Sequence, residues 1–139
     1  MTVVTRDFHE AHARLRERAE LLADAAKVLP AVSRPEREAL RDDIVEFLRE
    51  QVVPHTVLDE RVLFPEVSRR LGDPLATATM NYDHVAIRQW IAELEATDPS
   101  DVAKLQELLY GLDAIIRVHI WKENELYLPA VGSATWPAS

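Results

Sequence analysis

Apolar positions recur along the chain at helical spacing and fall into four blocks. In the first, Leu15, Ala19, Leu22, Ala26 and Leu29 follow one another at intervals of three or four residues, which places them on one face of an α-helix. Leu40, Ile44, Phe47, Leu48 and Val62 mark the second block. Ile87, Ile91 and Leu94 mark the third, and Leu105, Leu108, Leu109, Leu112, Ile115 and Ile116 the fourth. The blocks predict helices over about 5–29, 36–71, 75–96 and 101–128, with 129–139 as a C-terminal tail that holds Trp136 and packs on the helices or frays. The segments Pro30–Pro35, Gly72-Asp73-Pro74 and Thr97-Asp98-Pro99-Ser100 separate them, with Ser100 the expected N-cap of the last helix. Pro54 inside the second helix predicts a kink or the loss of one helix hydrogen bond there, and Pro65 a loosened end. Short connections make neighbouring helices antiparallel. The expected fold is all-α, an up-down-up-down antiparallel four-helix bundle forming a single domain over 1–139.

The two halves of the chain resemble each other. His55-x-x-x-Asp59 is followed by Pro65 and Val67, and His119-x-x-x-Glu123 by Pro129 and Val131. Likewise His12-x-x-Leu15-Arg16 in the first helix matches His84-x-x-Ile87-Arg88 in the third. A two-fold repeat of this kind implies a two-fold site between the halves.

Helical geometry predicts where these side chains point. His119 and Glu123 fall within ~20° of the centre of the fourth apolar stripe. On the second helix His55 lies ~20° and Asp59 ~60° from the core direction, whereas Glu60 points ~160° away. His12 and His84 lie ~60° from the core-facing Leu15 and Ile87, and His9 lies ~120° from Leu15. A lone histidine on an apolar face is most often a core residue with one hydrogen-bond partner. Here all four helices carry an inward His, and two add an inward carboxylate one turn later. Burying two carboxylates without counter-charge costs several kcal/mol each. No Lys or Arg lies on these inward faces, so one or two dications are the expected counter-charge. The metal reading therefore outweighs the core-histidine reading for the set taken together. Imidazole and carboxylate donors suit iron, manganese or zinc, and two carboxylates at one level of a bundle can bridge two metals.

Composition narrows the function classes. The 139 residues include no Cys, which excludes disulfides, thiolate zinc sites, iron–sulfur clusters and cysteine nucleophiles. The net charge of −8 argues against nucleic acid and anionic membranes as partners. No apolar run approaches the roughly 18 residues of a membrane span. The first residues lack the basic-then-apolar layout of a signal peptide, so a cytoplasmic protein is expected. Arg14, Arg16 and Arg18 read as a solvated face, and Trp90 and Trp121 as boundary packing.

His12, His55-x-x-x-Asp59-Glu60 with the following Val-Leu-Phe-Pro65, Asp83-His84-x-x-Ile87-Arg88, and His119-x-x-x-Glu123 with the following Pro129 together resemble the hemerythrin-like, HHE cation-binding family. The resemblance runs from about Phe8 to Pro129. It implies a four-helix bundle with two iron ions in a non-haem, oxo-bridged centre. It also implies that members bind dioxygen reversibly, sense oxygen, redox state or iron, or deal with peroxide and nitric oxide. Matched position by position, it implies His12, His55, Asp59, His84, His119 and Glu123 as metal ligands.

The chain departs from the oxygen carriers of that family in three places. Arg88 stands where they carry a second His on the third helix; Asp59 replaces a Glu; and Glu123 follows its His by four residues rather than five. His9 or Tyr127 is a candidate to supply the missing ligand, Glu60 a candidate supporting residue, and Arg88 is expected at the edge of the site, solvated in preference to attracting an anion. The expected function is a di-iron protein that reacts with hydrogen peroxide or nitric oxide under oxidative or nitrosative stress, leaning towards catalase-like peroxide disproportionation. The alternatives are a reversible dioxygen-binding or oxygen- or redox-sensing module, and a structural bundle with a zinc site. The expected partners are these small molecules.

Overall fold

In the computed structural model, which describes residues 3–132, four antiparallel helices form the bundle. Helix α1 spans Val3–Val28 and ends in a short 3-10 turn, Leu29–Ala31. Helix α2 runs continuously through 34–71, α3 spans Ala78–Ala96, and α4 runs through 102–131. Among the described residues there is no strand.

Local chemistry sets the boundaries. Ser33 caps α2 by accepting from the Glu36 N–H, with Pro35 in the first turn where its missing N–H costs nothing. Gly72, at φ 65°, ends the helix in the left-handed conformation, and the Asp73 N–H closes back on the Ser68 carbonyl. Residues 75–77 form turns, so α3 starts three residues later than the apolar pattern suggests. Asp101, rather than Ser100, caps α4 through the Lys104 N–H, because the Ser100 hydroxyl is turned back onto Asp98.

At the prolines the helices widen and continue. Three π-helical turns, Leu48–Val52, Asp59–Leu63 and Glu123–Tyr127, each end two residues before a proline. In each, an N–H reaches the carbonyl five residues back: Val53 to Leu48, Phe64 to Asp59, Leu128 to Glu123. The wider turn accommodates a ring that would otherwise collide with the carbonyl four residues before it. So α2 passes through Pro54 and Pro65, and α4 passes through Pro129 to Val131 instead of stopping at Leu128. The expected tail is thus helical at its start; Trp136 lies outside the described residues.

The core has two apolar layers. The larger contains Leu22, Leu48, Ile91 and Leu112. The smaller contains Phe8, Leu63, Phe64, Met80, Leu128 and Val131. Arg14, Arg16 and Arg18 face solvent as expected. Trp90 packs against the large layer. Trp121, expected at the boundary, is 62% exposed because His119, Ile120 and Glu123 take the inward directions at that turn.

Candidate metal centre

The six inward residues meet in the core, one histidine from each helix and one carboxylate from each of α2 and α4. His12, His55, Asp59 and Glu123 form one group whose ligand atoms all lie within 4.8 Å of one another. Asp59, His84, His119 and Glu123 form a second. Asp59 and Glu123 belong to both. Each is the first residue of a π turn, so the carboxylate sits one α-helical turn after its histidine, before the helix widens.

The donor geometry is that of a cation site. The Nε2 atoms of His12 and His55 are 3.1 Å apart, as are those of His84 and His119. On three of these rings Nδ1 meets an acceptor: Asn124 Oδ1 at 2.6 Å for His12, Glu60 Oε1 at 3.2 Å for His84 and Asp83 Oδ2 at 3.0 Å for His119. A ring that donates through Nδ1 presents the lone pair of Nε2 to the interior. Lone pairs facing each other at this distance repel unless a proton or a cation lies between them.

The carboxylates make the same demand. Asp59 and Glu123 are 0% exposed, and Asp59 Oδ1 and both Glu123 oxygens have no hydrogen-bond partner. Glu123 Oε1 lies 2.9 Å from His12 Nε2 and Oε2 lies 2.7 Å from His119 Nε2, but without the angles of a hydrogen bond. Orphaned buried carboxylate oxygens are costly and call for a counter-ion. Nitrogen and oxygen donors without thiolate fit a borderline or hard divalent metal.

Without metal the charges partition unevenly. Burial and the nearby Glu123 charge raise the Asp59 carboxyl, against the hydrogen bonds of His119 and His84. Burial also pushes Glu123 up, but His119, His12 and His55 outweigh it and hold the group well below its ordinary value. Burial lowers His119, yet Asp59, Asp83 and Glu123 together raise it to about 11. Protons thus serve as the counter-charge of the metal-free cluster.

Behind the imidazoles lies a second layer that sequence reasoning largely missed. Glu60, a candidate supporting residue, holds His84 Nδ1 and is gripped by Arg88 at 2.8 and 3.2 Å. Arg88 is not simply solvated: it also donates to Thr56 Oγ1 at 2.9 Å and is 38% exposed. The hydrogen bonds of Arg88 help hold the Glu60 carboxyl below its ordinary value. Asp83 accepts from both His119 and Lys122, the latter at 2.8 Å. The sequence cue to Glu60, Asp83, Lys122 and Asn124 is adjacency, since each directly precedes or follows one of the six core residues.

The other candidates lie elsewhere. The Tyr127 hydroxyl donates to the Ala76 carbonyl at 3.0 Å, one turn beyond Glu123. His9 is half-buried and belongs to neither group, in keeping with its position well off the inward stripe. Phe8 lies edge-on to His12 and His55, and Phe64 stacks on His84 with centroids 5.2 Å apart, closing the site on the side of the smaller layer.

No helix among the described residues is long and apolar enough to cross a membrane. No curated protein and no solved structure matched the chain. A family model, the hemerythrin HHE cation binding domain, matches residues 3–131. That match runs through all four helices and every residue of the cluster, so the chain belongs to the hemerythrin HHE cation-binding family.

Proposed function

We propose that the cluster holds two iron ions, bridged by Asp59 and Glu123, and that the protein disproportionates hydrogen peroxide. The observation that carries this reading is the equal supply of donors: two imidazoles and two shared carboxylates for each position. Iron commonly takes five or six ligands, so four protein donors leave room for a small exogenous ligand at both ions. Arg88 stands where the oxygen carriers have another histidine, and its guanidinium has no lone pair to offer and is engaged by Glu60 and Thr56. His9 lies outside both groups, and the Tyr127 hydroxyl is engaged by the Ala76 carbonyl.

Bound iron supplies the redox capacity by which one peroxide is reduced as another is oxidised, 2 H2O2 giving 2 H2O and O2. The chain's own part is to hold and shield. Asp59 and Glu123 would hold the two ions, the Nδ1 contacts fix the imidazole orientations, and Phe8 and Phe64 keep bulk water off one side.

The test is to add hydrogen peroxide to the iron-loaded protein and follow oxygen evolution, then to add dioxygen to the reduced protein and record its spectrum. Oxygen evolution at a rate proportional to bound iron is expected. A stable, reversible dioxygen adduct with no peroxide turnover would overturn this reading in favour of a carrier or sensor.

A further inference from the structure

Between α1 and α2, on the side of the Leu29–Ala31 turn, the surface carries an apolar groove. Leu21, Ala25 and Val28 of α1 and Leu40, Ile44 and Phe47 of α2 line a cavity of about 480 Å3 there. The groove follows α1 from Arg18 to Val28, about 15 Å of helix. No residue of the metal cluster lines it. Leu21 is 60% and Val28 46% exposed, although their neighbours Leu22 and Leu29 belong to the large apolar layer. Large apolar side chains gathered at one groove mark a contact surface.

The charges on the groove's rim say what fits it. Arg18, Asp24 and Asp43 stand there, all exposed, and among the described residues none of them makes an ion pair. An amphiphile with a single charged head would meet rim charges of both signs. A copy of the same surface meets them with their complements. Along α1 the pattern is self-complementary about Leu21. When two copies of the helix lie antiparallel with Leu21 on a two-fold axis, residues equally far before and after Leu21 meet. Arg18 lies three residues before it and Asp24 three after, so Arg18 of each copy faces Asp24 of the other. Arg14 lies seven before and Val28 seven after, so the apolar stem of each arginine covers an exposed valine. Matching of a surface to itself is what an isologous contact requires.

We propose that this groove is the interface of a homodimer in which two copies of α1 pack antiparallel across a two-fold axis at Leu21. The net charge of −8 repels two copies at a distance, so association depends on the two Arg18–Asp24 pairs and on the apolar side chains that the contact removes from water.

The test is sedimentation velocity of the metal-loaded full chain over a range of protein concentration, with metal content and circular dichroism as checks of the fold. A monomer–dimer equilibrium is expected for the native chain. Leu21→Asp, at a position already exposed, should give a folded monomer. Arg18→Asp and Asp24→Arg should each weaken the dimer by about tenfold or more in Kd, because each sets like charges against one another in both pairs. The double variant Arg18→Asp/Asp24→Arg reverses both pairs and should restore the dimer. A mixture of the two single variants should form a heterodimer, since every facing pair in it is again of opposite sign. A native chain that stays monomeric, a dimer that Leu21→Asp leaves intact, or folded single variants that neither weaken the dimer nor pair when mixed would overturn the inference. A monomer that binds the apolar dye anilinonaphthalene sulfonate, with Leu21→Asp abolishing the signal, would overturn it in favour of a small-ligand site. Each of these results leaves the reading of the metal centre untouched.

Discussion

Nε2 of His84 and Nε2 of His119 face each other 3.1 Å apart while the opposite nitrogen of each ring meets a carboxylate. The arrangement is stable only with a positive charge between the rings and the orphaned oxygens of Asp59 and Glu123. Metal binding is therefore folding energy. With free metal at a thousand times Kd, linkage gives about 4 kcal/mol, or roughly 10–20 °C in Tm for a domain of this size. Stripping the metal and recording melting curves checks this; equal melting temperatures with and without metal would contradict it.

The metal-free protein should lose stability towards alkaline pH. His119, raised to about 11 in the folded chain, has an ordinary value of 6.5. A raised cationic group stabilises the fold fully below about 6.5, and that contribution fades as pH climbs towards about 11. Melting temperatures of stripped protein from pH 6.5 upward should fall, and metal-loaded protein should not show this His119-linked decline. Metal uptake near neutral pH should also release protons, measurable with an indicator dye in weak buffer. Uptake without proton release would show that the cluster does not use protons as its counter-charge.

Asp59, not Glu60, should be the bridging residue of α2. Asp59 is fully buried in both ligand groups, whereas Glu60 sits behind His84 with Arg88. Asp59→Ala should lose at least one metal ion per chain, and Glu60→Ala should keep both under saturating metal with a weakened affinity. Elemental analysis of the two variants decides it, and the reverse pattern would reject the geometry.

Tyr127→Phe and His9→Ala should leave metal content unchanged. Tyr127→Phe removes one hydrogen bond to the Ala76 carbonyl, worth about 1 kcal/mol of stability. Loss of metal from either variant would place that side chain in the site after all.

The bundle and its inward residues were legible because helical periodicity fixes direction. His12, His84, His119 and Glu123 sit on or near apolar stripes, and the structure buries all four. The prolines were harder to read. Periodicity assumes a constant turn, and the π turns that begin at Asp59 and Glu123 break that assumption. The contacts of Arg88 were not legible for another reason: its partners Glu60 and Thr56 come from a different helix, and no single-helix projection reveals a contact across the bundle. The same limit hid Lys122 on Asp83 and Asn124 on His12.

The central claim is a pair of iron ions sharing Asp59 and Glu123. Its most direct test is the iron and zinc content, with the near-ultraviolet spectrum, of protein purified aerobically from iron-replete cells. The account predicts two irons per chain and charge-transfer absorption that Asp59→Ala abolishes or halves. One zinc per chain, no iron and a featureless near-ultraviolet spectrum would contradict it.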